Sequence, residues 1–247
     1  MSNQKLKKIG IIPARYASTR FPGKPLVQIH GKSMIQRVYE QAIKSELDSV
    51  IVATDDLRIF EHVADFEGNV LFTAGTHLTG TDRCYEVASN LPFDCIIINI
   101  QGDEPFINPE QINELLRVFD RKKSITIATQ CKLITSNELI FDANVVKVVK
   151  NTKGFAMYFS RNPIPYIRNA QQEEWVQHQK HYKHIGIYGF RKSVLKKLAA
   201  LPSGVLESAE SLEQLRWLEN GHRIFVAETN YETFGIDVPE DLDKIVF

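Results

Sequence analysis

The sequence predicts an α/β fold built on a doubly wound, mostly parallel sheet, and three observations carry that prediction. Short β-branched runs alternate with helix-length amphipathic segments through the first half of the chain. The runs are apolar without a break, as strands covered on both faces must be. The charged and glycine-containing stretches fall just after strands, at the edge where open parallel sheets place their ligands. With 247 residues, 43% of them hydrophobic, the chain is long enough to bury a full core.

Taken in order, KKIGIIP is the first strand, followed by a helix from about Ser33 to Lys44. SVIVAT is a strand, Leu57 to Phe66 a helix, and NVLFT a strand. A helix begins near Thr81, DCIIINI is a strand, Pro109 to Phe119 a helix, and SITIATQ a strand. Strand, helix, strand repeated in this way implies right-handed crossovers. After about Ala143 the rhythm changes: VVKVVK, FAMYFS and HIGIYGF are strand-like and separated by a polar stretch holding Pro163 and Pro165. Such a run predicts a β-rich insert at about 145–190 in a single 1–247 domain, as a hairpin lobe or an oligomerisation element. A helix from about Leu206 to Asn220, the strand RIFVAE and a terminal helix in PEDLDKIV complete the expectation.

Thirty basic residues balance thirty acidic ones, so no global field favours nucleic acid or anionic lipid, and an anion must be held by a local cluster. Cys84, Cys95 and Cys131 lie far apart with no CxxC spacing, which points to a reducing compartment and to no zinc site. The basic SNQKLKK runs into too few apolar residues for a signal sequence, and no window reaches membrane-span length. The expectation is a cytosolic protein.

The junctions carry the chemistry. In IIPARYASTRFPGKPL, Arg15, Arg20 and Lys24 surround small residues and Gly23 directly after the first strand. Three cations with free backbone N–H groups at a strand's carboxyl edge suit a polyphosphate better than a solvated loop. HGKS resembles the end of a phosphate-binding loop, but the required glycine is Leu26, and no GxGxxG follows the first strand. In IIINIQGDEPFI, a buried strand delivers Gln101, Gly102, Asp103 and Glu104 to the same edge. An acidic pair there is as much a turn or helix cap as a metal ligand until a second carboxylate joins it. FGIDVPEDL supplies Asp237 after a short strand. Two distant aspartates beside a basic loop suit Mg²⁺ and metal-assisted nucleotidyl transfer.

In this order, IPARYASTRFPGKPL, HLTGTDR, NIQGDEP, NVVKVV, MYFSRNPIP, HIGIYGFR, LEQLR and GIDVPEDL closely resemble the 3-deoxy-D-manno-octulosonate (Kdo) cytidylyltransferases, from about Ile9 to Asp243. The resemblance implies a Rossmann-like nucleotide-diphospho-sugar transferase fold whose insert serves dimerisation and sugar binding. It implies the reaction CTP + Kdo → CMP-Kdo + diphosphate, which feeds lipopolysaccharide synthesis, with Mg²⁺ as cofactor. A cytoplasmic homodimer is expected, with no nucleic acid or membrane partner. The apolar positions of FAMYFS and HIGIYGF exceed what an isolated hairpin buries, so they should pack on the core or on a second subunit.

By the same resemblance, Arg15, Ser18, Arg20 and Lys24 bind the nucleotide's phosphates, Ala14 also belongs to the nucleotide site, and Thr79, Gly80, Thr81 and Gln101 read cytosine and ribose. Asp103 and Asp237 are the metal ligands and, with Lys24, the residues assigned to catalysis. Arg83, Arg161, His184, Tyr188, Glu213 and Gln214 form the sugar site. Spacing alone leaves other readings open. His184 and Tyr188 share a strand face and could simply pack; Arg161 could pair with any surface acid. Glu207, Glu210 and Gln214 follow i, i+3, i+7 spacing and could form a solvated stripe on one helix. Trp175, Trp217 and the remaining histidines are read as packing or surface residues. Two alternatives accompany this reading. One is CMP transfer to another 2-keto sugar acid, such as 8-amino-Kdo or a sialic acid. The other is a non-catalytic nucleotide sensor, against which the complete phosphate and metal apparatus argues.

Overall fold

The apolar run of Lys7–Ala14 (β1) forms the centre of a sheet in a computed structural model that describes residues 6–17, 21–232 and 234–245. Ser18 and Arg20 therefore lie outside the described residues. The chain continues through a small hairpin, Gln28–Ile29 (β2) and Lys32–Ser33 (β3). His30 and Gly31 turn this hairpin with φ of 46° and 78°, so HGKS is a tight turn and not a phosphate loop.

Met34–Ala42 (α1) follows, capped by the Ser33 side chain, then Ser49–Thr54 (β4), Leu57–Asp65 (α2) and Val70–Phe72 (β5). Next come Gly80–Ser89 (α3), Cys95–Asn99 (β6), Pro109–Arg121 (α4) and Ile127–Leu133 (β7). The later part comprises Asn137–Phe141 (α5), Lys147–Lys150 (β8), Ala156–Ser160 (β9), Trp175–His178 (α6) and Tyr182–Arg191 (β10). Lys192–Ala199 (α7), Val205–Glu210 (α8), Glu213–Glu219 (α9) and Ile224–Glu228 (β11) lead to a 3₁₀ turn at Pro239–Lys244.

The sheet order is β11-β7-β10-β6-β1-β4-β5, with the β8–β9 hairpin attached to β10. Every strand of that path runs parallel to its neighbours except β10, which is antiparallel to both β6 and β7. One core layer gathers Ile9, Ile11, Ile97, Phe190, Leu195, Leu215 and Trp217. The other gathers Ile12, Val38, Ile98, Leu115, Leu116 and Phe119 on the opposite face. Alternate residues of one strand feed the two layers, so the sheet is covered on both sides as the unbroken apolar runs require.

Two expectations change, and that of core packing for FAMYFS and HIGIYGF holds. The 145–190 segment is not one insert, because β10 is an inner strand of the main sheet; only β8, β9 and the connection to β10 lie outside that path. That connection also contains helix, and Trp175 is buried there against Ile134 and Ile140 in a small core of its own. The apolar residues of FAMYFS and HIGIYGF mostly fill this chain's interior: Phe159, Ile185, Ile187, Tyr188 and Phe190 are buried, and Met157 is exposed. Finally, the helix expected from Leu206 to Asn220 breaks at Ser211, whose φ of 53° is left-handed. Glu207, Glu210 and Gln214 consequently do not form one stripe.

Candidate active site

The loop after β1 is pinched shut at its neck. The Gly23 amide donates to the Tyr16 carbonyl at 2.9 Å, and Gly23 itself has φ 72°, which a side chain would strain. Arg58 places its guanidinium 3.3 Å from the centroid of the Tyr16 ring. This neck aims Lys24 inward, where its Nζ donates to Asp103 Oδ2 at 2.7 Å and to the Ile236 carbonyl at 2.9 Å, and reaches Asp237 Oδ1 at 3.4 Å. Residues 24, 103 and 237 are thus brought onto one ammonium.

Backbone geometry makes that convergence possible. A Cβ on Gly102 would lie 2.8 Å from the Pro13 carbonyl oxygen, so only glycine lets the Asp103 turn lie against the end of β1. The Ile236 amide donates to the Asp103 carbonyl at 2.9 Å, tying the two aspartate segments together. The Asp241 carboxylate caps the following turn by accepting from the Asp237 and Val238 amides at 2.9 and 3.2 Å. Ala14 is buried at the end of β1. Arg15 follows it; burial and the proximity of Arg83 hold its guanidinium below its ordinary pKa, against the opposing pull of Asp55 and Asp82.

Next to this edge, α3 begins with a reciprocal cap in which Thr79 and Asp82 exchange hydrogen bonds of 3.1 Å. Gly80 packs against Pro13 and the Asn99 carboxamide: a Cβ there would stand in van der Waals contact with both, at 3.5 and 3.7 Å. Asn99 was not singled out from the sequence, yet it is buried with its Oδ1 unpartnered. Gln101 Nε2 donates to the Gly186 carbonyl at 2.9 Å, which fixes the amide and leaves Oε1 as its acceptor.

Thr81 links this region to the proposed sugar side by donating to Glu213 Oε2 at 3.1 Å. The break at Ser211 produces this contact, since it starts a new helix at Glu213. Burial raises the Glu213 pKa to about 7, partly offset by Arg216 and by the hydroxyls of Thr79 and Thr81. Arg216 holds Glu213 Oε1 at 3.1 Å and the Leu201 carbonyl at 3.1 Å, and lies 3.3 Å from Glu207. Gln214 is buried with its Nε2 unpartnered.

Tyr188 is packed edge-on against Trp217, with its hydroxyl buried, and burial raises its pKa well above the ordinary range. His184 lies 5.4 Å from the Tyr188 ring and 5.0 Å from Phe159. Its surroundings press its pKa down to about 3, so the ring is neutral.

The two arginines expected at the sugar site are held in place by protein groups. Arg83 is fully buried, 3.2 Å from Asp55 and in contact with the Thr73 hydroxyl, and so ties α3 to the ends of β4 and β5. Arg161 donates through Nε to the Glu210 carbonyl at 2.7 Å and through NH1 to the Ala143 carbonyl at 3.1 Å, in place of the surface acid that spacing allowed. Its own amide, with the Ser160 hydroxyl, binds the Glu210 carboxylate at 2.9 and 2.6 Å. Lys147, fully buried, donates to the carbonyls of Asp142 (2.8 Å) and Arg161. Neither Lys147 nor Glu210 was assigned a role from the sequence. Trp175 and Trp217 are packing residues, as expected.

The two carboxylates suit a hard divalent cation: both donors are oxygen, both are partly exposed, and one ammonium already bridges them. Among the described residues no cluster of three or more acidic, histidine or cysteine side chains forms a metal cage, so a cation here would need ligands from a substrate.

Known proteins match the chain over nearly its whole length. Residues 9–224 match the model of a family described as cytidylyltransferase. A 3-deoxy-manno-octulosonate cytidylyltransferase from Parabacteroides distasonis is 54% identical over 245 residues, covering 97% of this chain and 96% of its own. One of the same name from Bacteroides thetaiotaomicron is 51% identical, with 96% of both chains covered. A solved structure of a CMP:2-keto-3-deoxy-manno-octonic acid synthetase complexed with CTP matches with a TM-score of 0.89 at 43% identity, over 96% of each chain. A 4-diphosphocytidyl-2C-methyl-D-erythritol synthase from Anaerococcus prevotii matches at a TM-score of 0.60 and 15% identity, over 96% of each chain, a likeness of fold alone. The chain belongs to the cytidylyltransferase family.

Proposed function

We propose that this protein transfers CMP from CTP to Kdo, giving CMP-Kdo and diphosphate. The observation that carries the reading is the convergence of Lys24, Asp103 and Asp237 at the carboxyl edge of the sheet. The names and close identity of the relatives support the choice of CTP and Kdo.

In the reaction a sugar hydroxyl oxygen bonds to the α-phosphorus, the bond from that phosphorus to the bridging oxygen breaks, diphosphate leaves, and the hydroxyl proton passes to solvent. Charge grows on the phosphate oxygens. Lys24 and Arg15, with Ser18 and Arg20 from the same loop, neutralise it. Asp103 and Asp237 would hold Mg²⁺, which supplies charge neutralisation and acidifies the attacking hydroxyl. Thr79, Gly80, Thr81 and Gln101 seat the nucleoside. Glu213, Gln214, His184, Tyr188 and Arg161 seat the sugar acid, while Arg83, fully buried on Asp55 and Thr73, holds α3 in place instead of touching the sugar.

The test measures diphosphate release from CTP and Mg²⁺ with Kdo, 8-amino-Kdo and a sialic acid in parallel. Rapid release with Kdo is expected. Preference for either other sugar would reassign the substrate, and no release with any would leave only a nucleotide-binding protein.

We further propose a cytoplasmic homodimer. No described helix is long and apolar enough to cross a membrane, and all three cysteines are free and buried. Met157 is left exposed on β9 for a second copy to cover. Sedimentation showing only monomer at micromolar concentration overturns the dimer.

A further inference from the structure

Thr129 lies in β7 opposite an irregular part of β10. Pairing is regular from Phe190↔Ile127 to Tyr188↔Thr129, then resumes at Ile185↔Gln130, so Gly186 and Ile187 have no partner on β7. The displaced backbone turns to the Thr129 side chain. Its Oγ1 lies 3.1 Å from the Ile185 carbonyl oxygen and 2.8 Å from that of Ile187. A third neighbour, His184 Nε2, lies 2.9 Å from the same oxygen. Thr129 is fully buried, so bulk water does not reach its hydroxyl.

One hydroxyl has one proton to share among these three neighbours. Were it given to His184 Nε2, two carbonyl oxygens would face a bare oxygen at hydrogen-bond distance in the interior, a contact that is repulsive and unsatisfied. The proton therefore goes to the carbonyls, and the hydroxyl oxygen must accept from His184. His184 carries its proton on Nε2 and keeps a lone pair on Nδ1. Among the described residues Nδ1 makes no hydrogen bond, and His184 retains part of its surface.

We infer that Thr129 is a positioning residue for the transfer reaction: its hydroxyl fixes His184 as the Nε2–H tautomer, so that Nδ1 accepts a hydrogen bond from a hydroxyl of the incoming sugar acid. This rests on the proposed function for the identity of the sugar. The surrounding geometry supports it. The ring has no second protonation to lose, because burial keeps it neutral. The same irregular segment also presents the Gly186 carbonyl that orients Gln101. One buried hydroxyl thus seats a segment that touches both halves of the site.

The test pairs ¹⁵N NMR of the His184 ring at neutral pH, assigned by its loss in His184→Asn, with steady-state kinetics of Thr129→Val and Thr129→Ser. Wild type should show a protonated Nε2 and a bare Nδ1. Thr129→Val should lose the single tautomer and about tenfold in kcat/KM for Kdo, the worth of roughly one hydrogen bond. Thr129→Ser should restore both. A protonated Nδ1 in wild type overturns the inference whether or not the valine variant folds. So does a valine variant in which the tautomer and the Kdo kinetics do not change together, or a serine variant that restores neither. Failure of wild type to use Kdo would overturn the substrate reading instead, and leaves the tautomer measurement standing.

Discussion

Replacing Glu213 with glutamine tests the electrostatics of the sugar side directly. In the folded protein the carboxyl pKa is raised to about 7 from its ordinary 4.5, with burial the largest cause. A folded-state value above the unfolded one means that folding takes up a proton. Below pH 4.5 both states are protonated and the group does not affect stability. Between 4.5 and about 7 the unfolded chain ionises while the folded one does not, so stability falls as pH rises, and above 7 the loss is complete. The displacement corresponds to about 3 kcal/mol. It is an upper bound, because a quarter of the side chain remains exposed.

Glutamine cannot ionise and keeps an acceptor for the Thr81 hydroxyl. The stability of Glu213→Gln relative to wild type should therefore rise by up to about 3 kcal/mol between pH 4.5 and 7.5, or roughly 6 to 12 °C in melting temperature for a chain of this size. Urea titrations of both proteins at several pH values across that window give the difference directly. Parallel stability profiles would show that Glu213 ionises normally and that its burial does not govern its charge.

Asp103→Asn and Asp237→Asn should fold normally but lose roughly several kcal/mol of transition-state stabilisation, read as a collapse of kcat across a magnesium titration; near-normal turnover in both refutes the metal role. Lys24→Ala should raise KM for CTP and lower kcat together, because the ammonium meets ground-state and developing charge alike. Gly102→Ala forces a Cβ to within 2.8 Å of the Pro13 carbonyl. It should lower kcat by displacing Asp103 while circular dichroism is unchanged. Lys147→Met leaves the carbonyls of Asp142 and Arg161 without their donor. The expected cost is about 2–3 kcal/mol in urea unfolding with a raised KM for the sugar, and unchanged values would assign the lysine no structural work.

What the sequence could reveal depended on whether a signal was local. IGII, VIVA and IIIN are apolar without interruption, so β1, β4 and β6 announce both their existence and their two-sided burial. HIGIYGF is as plainly a strand, but nothing in its periodicity names its partners, and it was assigned to a peripheral insert when it belongs between β6 and β7. The break at Ser211 carries no glycine or proline to signal it; the contacts of Glu210 with Ser160 and Arg161, distant in sequence, accompany the turn. Lys24, Asp103 and Asp237 were legible because each lies in a distinctive motif; Asp103 comes just past β6, whereas the short strand expected before Asp237 is not formed among the described residues. Thr129, Lys147 and Glu210 act only through neighbours that the fold brings to them. A threonine in a buried strand is ordinary until three polar atoms are found around its hydroxyl.

The reversed direction of β10 explains how one sheet edge can serve two substrates. Every parallel strand reaches the ligand edge with its carboxyl end and then leaves through a loop, as β1 does toward Lys24 and β6 toward Asp103. An antiparallel strand arrives at that edge by its amino-terminal half, which in β10 pairs with β7 but not with β6. Tyr188 pairs with Asn99, so the preceding residues, Gly186 and His184, necessarily lie beyond the end of β6, beside Gln101. The sugar-side residues of β10 are thereby carried on a strand bonded on both sides, and their spacing from the nucleotide side is set by the sheet register. A loop could supply the same side chains, but it would have to be ordered each time a sugar binds. The regular pairing from Tyr188 onward locks the register of β10 between β6 and β7, since a slip there would turn Phe190 out of its core layer, and the irregularity at Gly186 and Ile187 is the one place where His184 can shift relative to Gln101.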